Sequence, residues 1–365
     1  MNIIYIEPYY SGSHKKWIDS YKEHSKHNIK ILDLPGNKWK WRMHGGAITL
    51  ANQFLELDYK IDIILCSDFL NLPVFKSICG SKIKNIPLIM YFHENQLSYP
   101  WSPEDKDIEL KRDLHYHYIN YTSSLISNFN LFNSKYHLDS YIDSLKKYLK
   151  KMPDFNNFES IEIISNKSSV LHIGCELKKF KDHKIEKNNK IPLLLWNHRW
   201  EFDKNPELFF RTLFKLKDEG VDFELAIIGE SFKDYPKIFD EAKLKLSDNI
   251  VQFGYCKTFK EYAKWLWKSD ILPVTSNQDF FGISIVEATY CNTYPILPKR
   301  LAYPEIFDIE NNSDYFYKNN QDFYQKLKKQ ILSYKTSSLR IANLIEKYDW
   351  QKIVSLYDKT LNNFR

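Results

Sequence analysis

The feature that most constrains this chain is a repeated unit of a short apolar run, a small-residue or polar turn, and a helical stretch. Residues 2–8 form such a run, which ends in Tyr9-Tyr10-Ser11-Gly12-Ser13-His14 and hands over to a helical pattern at 15–24. Similar runs follow at 29–34, 61–66, 86–92, 125–133 and 170–173. Runs that are apolar throughout suit strands covered on both faces, and such strands are parallel and joined by helices. The rhythm predicts a doubly wound α/β sheet.

The rhythm then breaks and restarts. Residues 177–190 are polar and carry six lysines, a composition expected of a linker between domains. Strands are predicted at 192–196, 223–229, 250–254, 271–275 and 294–297, with helices at 206–220, 235–246, 258–268 and 282–290. Pro206 suits the first position of its helix. A length of 365 residues fits two average domains, expected at 1–176 and 191–345. Hydrophobic residues at 43% suffice for two cores without disulfide staples. The five cysteines are scattered, odd in number and never spaced C-x-x-C, which argues against structural zinc and a secretory framework. The first residues carry no basic segment followed by a long apolar one, and no uncharged run approaches membrane-spanning length. The chain therefore reads as soluble and cytoplasmic. A net charge of +6 is compatible with a polyanionic partner but far from histone-like. Two α/β domains in series suggest a ligand in a central cleft, at the strands' carboxyl ends.

Two stretches of the second half carry chemistry. Trp196-Asn197-His198-Arg199-Trp200-Glu201-Phe202-Asp203-Lys204-Asn205-Pro206 lies between a strand and a helix whose free N–H groups favour an anion. Arg199 offers a bidentate fork and Lys204 a point charge, a pair suited to a diphosphate. The alternative is a solvated loop with ion pairs among Arg199, Glu201, Asp203 and Lys204. The second stretch, Asp279-Phe280-Phe281-Gly282-Ile283-Ser284-Ile285-Val286-Glu287, sets two acids eight apart, placing Asp279 at a helix entrance and Glu287 about two turns in. Gly282 permits a ligand close to the backbone, and carboxylates accept hydrogen bonds from sugar diols. A helix-start acid and an ordinary surface glutamate are the alternative.

The ordered pair Arg199-x4-Lys204 and Asp279-x7-Glu287 resembles the retaining glycosyltransferases of family 4, which have the GT-B fold. Further segments in order strengthen the likeness: Ile173-Gly174-Cys175-Glu176 with Phe180, Gly229-Glu230, Phe253-Gly254-Tyr255, and Tyr348-Asp349-Trp350. In the first half, Pro8-Tyr9-Tyr10-Ser11-Gly12-Ser13-His14-Lys15, Lys38-Trp39-Lys40-Trp41-Arg42 and Tyr91-Phe92-His93-Glu94-Asn95-Gln96-Leu97 resemble one subfamily. That subfamily is the tRNA-queuosine α-mannosyltransferases. Phe280-Phe281-Gly282, Tyr290-Cys291 and Tyr303-Pro304-Glu305-Ile306-Phe307 are similar to its C-terminal signature.

The resemblance implies two Rossmann-like domains, with residues 346–365 crossing back to the first. It also implies transfer of mannose from GDP-mannose, or another sugar nucleotide, to the cyclopentenediol of queuosine in tRNA for aspartate. Arg199, Lys204, Asp279, Glu287 and His93 are its implied catalytic set. Gly12, Ser13, Gly229, Glu230, Tyr255, Phe281, Gly282 and Ile283 would bind donor. Lys38, Trp39, Lys40, Trp41, Arg42, Glu94 and Asn95 would meet the acceptor. Alternating cations and indoles can grip phosphates and stack on bases, though a strand or loop with its indoles turned to the core reads equally from the pattern. His93 ends a strand, where it can face a donor sugar or serve only the structure. Lys146, Lys147, Lys150 and Lys151 read as a solvated helix face. Asp105-Lys106-Asp107, the D-x-D of the chain, falls in a polar loop rather than at a strand end, so no essential metal is expected and no cofactor. Two positions depart from the family pattern: Asp279 stands where Glu is usual, and Asn292 where the wider family often has Gly. A lipid or polysaccharide acceptor, and a noncatalytic binding protein, are the rival readings.

Overall fold

The computed structural model describes residues 1–103, 105–110, 114–231, 234–334 and 341–364. Among these, the strands form two six-stranded sheets in which every neighbouring pair is parallel. The chain divides into two units, one of Met1–Gly174 with the C-terminal helix Trp350–Asn362, the other of Cys175–Asp349.

The first unit holds β1 (Asn2–Tyr10), β2 (Asn28–Pro35), β3 (Ile63–Ser67), β4 (Leu88–Phe92), β5 (Phe129–Phe132) and β6 (Ser168–Val170). Their order is β2-β1-β3-β4-β5-β6, so the winding reverses between β1 and β3. Every residue of β3 and β4 is buried, as their apolar runs require, and the one polar member, Ser67, donates to Glu7. One face packs Ile64, Met90 and Phe92 against Ala47, Leu50, Ala51 and Phe54 of the helix Trp39–Leu55. On the other, Trp17 of the helix Gly12–His24 stacks on Tyr91, ring centroids 4.3 Å apart. Its indole N–H donates to Tyr357 on the C-terminal helix (3.1 Å), and Tyr21 donates to Asp358 (3.1 Å). These bonds tie the end of the chain to its beginning.

The second unit holds β7 (Leu193–Trp196), β8 (Glu224–Ile227), β9 (Ile250–Phe253), β10 (Ile271–Pro273), β11 (Tyr294–Pro298) and β12 (Phe316–Tyr317), in the order β12-β11-β10-β7-β8-β9. Here the reversal falls between β7 and β10. The helix Pro206–Asp218 begins as its sequence predicts: Pro206 opens it and the Asn205 side chain accepts from the Leu208 N–H at 3.3 Å. Its Phe209 and Phe210 pack on Trp196 of β7. Asn292 has φ of 59°, in the left-handed region that Gly favours and Asn tolerates, so the departure at this position keeps the backbone turn.

Several elements differ from the sequence expectation. The apolar run 125–133 is not one strand: Leu125 closes the helix Leu114–Ile126, and β5 starts after the turn at Asn128, whose side chain accepts from Leu88 N–H at 2.9 Å. Periodicity cannot separate a buried helix end from a short strand. The expected strand at 170–173 pairs instead over Ser168–Val170. Within 177–190, Leu177–His183 is a 3-10 helix with Leu177 and Phe180 buried in the second unit, where Trp267 donates to the Phe180 carbonyl at 2.7 Å. The strand β12 is too short for any sequence pattern to mark.

Candidate active site

The reversal point of the second sheet collects Arg199, Lys204 and Asp279, three of the charged residues that the sequence singles out. In the second unit, Asn197, His198 and Arg199 leave β7 and the segment from Val274 to Asp279 leaves β10. The loop from Arg199 to Asn205 is pinned across this gap: the Asn277 N–H donates to the Asp203 carbonyl at 2.7 Å, and Thr275 Oγ1 donates to the Lys204 and Asn205 carbonyls at 3.0 Å each.

Lys204 is therefore not a surface lysine. It is 7% exposed, and its Nζ reaches the Gln278 carbonyl at 2.7 Å, Asp279 Oδ1 at 3.1 Å and Asp203 Oδ2 at 3.1 Å. Burial would lower its pKa, but Asp279 and then Asp203 hold it raised and the ammonium charged. Asp279 is also gripped by Tyr303, whose hydroxyl donates to Oδ2 at 2.5 Å. Burial pushes that carboxyl up, yet Lys204, with His198 and the Tyr303 bond, carries it below the ordinary carboxylate range. The shorter acid at this position thus has both oxygens anchored. Arg199 differs: its side chain is 47% exposed and lies 3.1 Å from Glu201 Oε2. Of the two cations, Arg199 faces solvent and Lys204 is set beneath.

The two acids of the acid-x7-acid pair have different partners and different places on the chain's local structure. Gly282, at φ 91°, caps the helix Ile283–Tyr290, so Asp279 precedes the helix by a loop and Glu287 sits just over one turn in, not two. Glu287 Oε2 accepts from Tyr262 at 2.7 Å. Ile283 is half-buried at the head of this helix, and Phe281 is buried edge-on against Tyr348 at 5.2 Å. Gly229 has no room for a side chain, because a Cβ there would lie 1.6 Å from the His198 carbonyl oxygen. Chain packing accounts for that glycine. Glu230 is exposed and its carbonyl accepts from the Trp200 N–H at 2.8 Å, while the Tyr255 ring is 61% exposed.

In the first unit, Gly12 and Ser13 are exposed at the start of their helix. His93 is buried immediately after β4, and Glu94 beside it accepts from Gln96 at 3.1 Å. Asn95 is fully buried and spends its side chain on the turn, accepting from the Ser98 N–H (2.8 Å) and donating to Ser98 Oγ (2.9 Å). Lys38-Trp39-Lys40-Trp41-Arg42 is neither strand nor loop but the start of the helix Trp39–Leu55, with Lys38 at the cap. Lys40 is enclosed by Asp105 (2.7 Å) and Asp107 (2.6 Å), so the D-x-D acids neutralise a lysine. Arg42 donates to the Pro35 carbonyl and to Asn37 Oδ1, each at 3.1 Å. Trp39 packs on Trp101 and Tyr116, whereas the Trp41 ring is 63% exposed.

Sequence reasoning passed over some members of these sites. Tyr303 opens the segment Tyr303-Pro304-Glu305-Ile306-Phe307, in which nothing local marks it as a partner of Asp279. His198, 3% exposed, has Nδ1 3.4 Å from Ser284 Oγ and a buried Nε2 with no protein partner among the described residues; burial lowers its pKa to about 4. Its signal was adjacency to Arg199, which only the fold turns inward.

Residues 2–175 match the family model described as tRNA-queuosine alpha-mannosyltransferase N-terminal, and residues 178–348 match glycosyl transferases group 1. Similar solved structures include sucrose-phosphate synthase from Thermosynechococcus elongatus, with a TM-score of 0.74 at 12% identity over 100% of this chain and 99% of that one. A UDP-forming alpha,alpha-trehalose-phosphate synthase from Burkholderia xenovorans has a TM-score of 0.67 at 12% identity, over 99% and 98%. At such identities the likeness is one of fold, the GT-B fold of two Rossmann-like domains. Fold, family match and site together define a glycosyltransferase. A tRNA-queuosine alpha-mannosyltransferase of Drosophila melanogaster is 35% identical over 295 residues, which are 78% of this chain and 76% of the relative. The chain belongs to the tRNA-queuosine alpha-mannosyltransferase family.

Proposed function

We propose that this glycosyltransferase moves a mannosyl group from GDP-mannose to the cyclopentenediol of queuosine in tRNA for aspartate, in the cytoplasm. The transfer retains configuration at the anomeric carbon and needs no metal. The observation that supports this most is the 35% identity to a protein bearing that activity in its name. The site's chemistry agrees. Arg199 forks the diphosphate from the solvent side, Lys204 adds charge from beneath, and the head of the helix at Ile283 adds its dipole. Together they stabilise the leaving diphosphate as the bond to the anomeric carbon breaks. Asp279, held by Lys204 and Tyr303, keeps a free lone pair on each oxygen for a sugar hydroxyl, and Glu287 takes the ribose diol. His93 is assigned a hydrogen bond to a sugar hydroxyl. The exposed indole of Trp41 offers a stacking platform for an unpaired base of the tRNA.

The test supplies the purified chain with radiolabelled GDP-mannose or UDP-glucose, queuosine-containing tRNA and excess EDTA. Label on tRNA from GDP-mannose in EDTA is the expected result. Preference for UDP-glucose would overturn the donor, and activity lost to EDTA but restored by magnesium would overturn the metal-free mechanism. Label moving to a lipid or glycan extract instead of tRNA would favour the rival acceptor.

A further inference from the structure

At the reversal point of the first sheet a second set of ionisable groups is buried. Glu7 of β1 is fully enclosed and accepts from the Tyr5 hydroxyl (2.8 Å), the Tyr9 N–H (2.9 Å) and the Ser67 hydroxyl (2.9 Å). His14, at the start of the helix Gly12–His24, points Nδ1 at Glu7 Oε2 from 3.1 Å. The His14 ring lies against that of His93, centroids 4.2 Å apart and planes at 38°, and Trp17 meets His93 edge-on at 4.7 Å. The backbone of His93 is fixed on both sides, its N–H donating to Asp68 Oδ1 (3.0 Å) and its carbonyl accepting from Asn133 (2.8 Å). The His93 Nε2 is buried with no protein partner among the described residues.

We propose that His14 is a positioning residue for the transfer reaction: clamped by Glu7, it packs on His93 and fixes that ring's direction and proton content, so that Nε2 is held for the reacting sugar. This rests on the function proposed above, in which His93 takes part in the transfer. The charges around the pair agree with it. Burial opposes a proton on His14, but Glu7, and then Asp68 and Glu94, push its pKa up to about 9. Burial, the His14 cation and His137 of the helix Lys135–Leu149 hold His93 well below its ordinary value. A neutral His93 can bond a sugar hydroxyl without opposing the positive charge that grows at the anomeric carbon, whereas an imidazolium there would repel it.

Glu7→Gln in the full chain removes the clamping charge and keeps a polar side chain of nearly the same shape. The expected result is a fall in kcat of up to about a hundredfold, the size a small misplacement produces, with little change in donor KM. The alkaline limb of the pH–rate profile should move from near pH 9 toward neutrality, where an unclamped His14 loses its proton. His14→Gln should abolish that limb. Folded variants with an unchanged kcat and pH profile would overturn the proposal. Because Glu7 also holds Tyr5 and Ser67, the second measurement uses the unaltered chain: nitrogen NMR of the imidazole rings, without substrates. A charged His14 and a neutral His93 at pH 7 are expected, and the reverse would overturn it. If the chain proves to glycosylate something other than queuosine, the tRNA assay fails while the ring states stand, so the two failures are distinguishable.

Discussion

Lys204 Nζ lies 3.1 Å from Asp279 Oδ1, so the buried cation of the Arg199–Asn205 loop and the first acid of the acid-x7-acid motif are one ion pair. Residues 75 positions apart meet there because β7 and β10 are neighbours in the second sheet. The pair makes the site's charge and its local stability inseparable.

Lys204→Met should therefore cost both activity and stability. Breaking a buried pair on one side costs about 3–5 kcal/mol, since Asp279 and Asp203 are left without their cation. Adding Asp279→Asn should recover part of that stability, because Asp203 stays without its cation, and none of the transfer, as read by urea unfolding beside a transfer assay. The acid dependence follows in sign. Asp279 has a lowered pKa when folded, so its contribution is present above the unfolded value of about 4 and is lost as pH falls through the folded one. Asp279→Asn should flatten the acid limb of the stability curve.

Arg199→Ala should separate the two effects. The side chain is half exposed, so unfolding should shift by less than about 0.5 kcal/mol. Loss of a charge-assisted contact to the diphosphate should remove about 1.5–3 kcal/mol of transition-state stabilisation, measured as kcat/KM. Arg199→Lys should rescue poorly, because an ammonium lacks the planar fork.

Gly229→Ala tests whether this glycine serves packing. A methyl group 1.6 Å from the His198 carbonyl oxygen must displace the loop that carries Arg199. A loss of about 1–3 kcal/mol in stability is expected, together with reduced transfer. A variant as stable and active as the parent would contradict the packing role.

The segment 38–42 should split by residue rather than act as one basic patch. Trp41→Ala should leave the melting temperature unchanged and weaken tRNA binding by about 1–3 kcal/mol, the worth of one stacked base. Lys40→Ala strands Asp105 and Asp107, so it should lower stability while barely changing the salt dependence of tRNA binding. Lys38, exposed at the helix cap, should account for more of the salt slope. Binding measured across a salt series distinguishes the three.

The sheets were legible because their strands are buried on both faces and so carry unbroken apolar runs, as at 86–92 and 192–196. The cap at Asn205 and Pro206 was legible because its chemistry is local. What the sequence hid was pairing. Lys40 reads as a phosphate-seeking cation until the fold brings Asp105 and Asp107 to it, and Asn95 reads as a ligand until Ser98 occupies its amide. Glu7 carried no pattern, and His14 stood only as one residue of the segment 8–15, with no partner to give it a role. Glu7 lies in β1 and His14 in the first turn of the helix Gly12–His24, and only the fold sets His14 between Glu7 and His93. Local signals mark elements, whereas charge partners distant in sequence are set by strand order.

The central claim is that queuosine in tRNA receives the mannose. Its most direct measurement is mass spectrometry of nucleosides from tRNA incubated with the purified chain and GDP-mannose, in parallel on queuosine-containing and queuosine-free tRNA. A hexose-bearing queuosine in the first sample, with no hexosylated nucleoside in the second, is the predicted result. Unmodified queuosine in both, while GDP-mannose is consumed and a lipid or glycan extract gains the sugar, would contradict it.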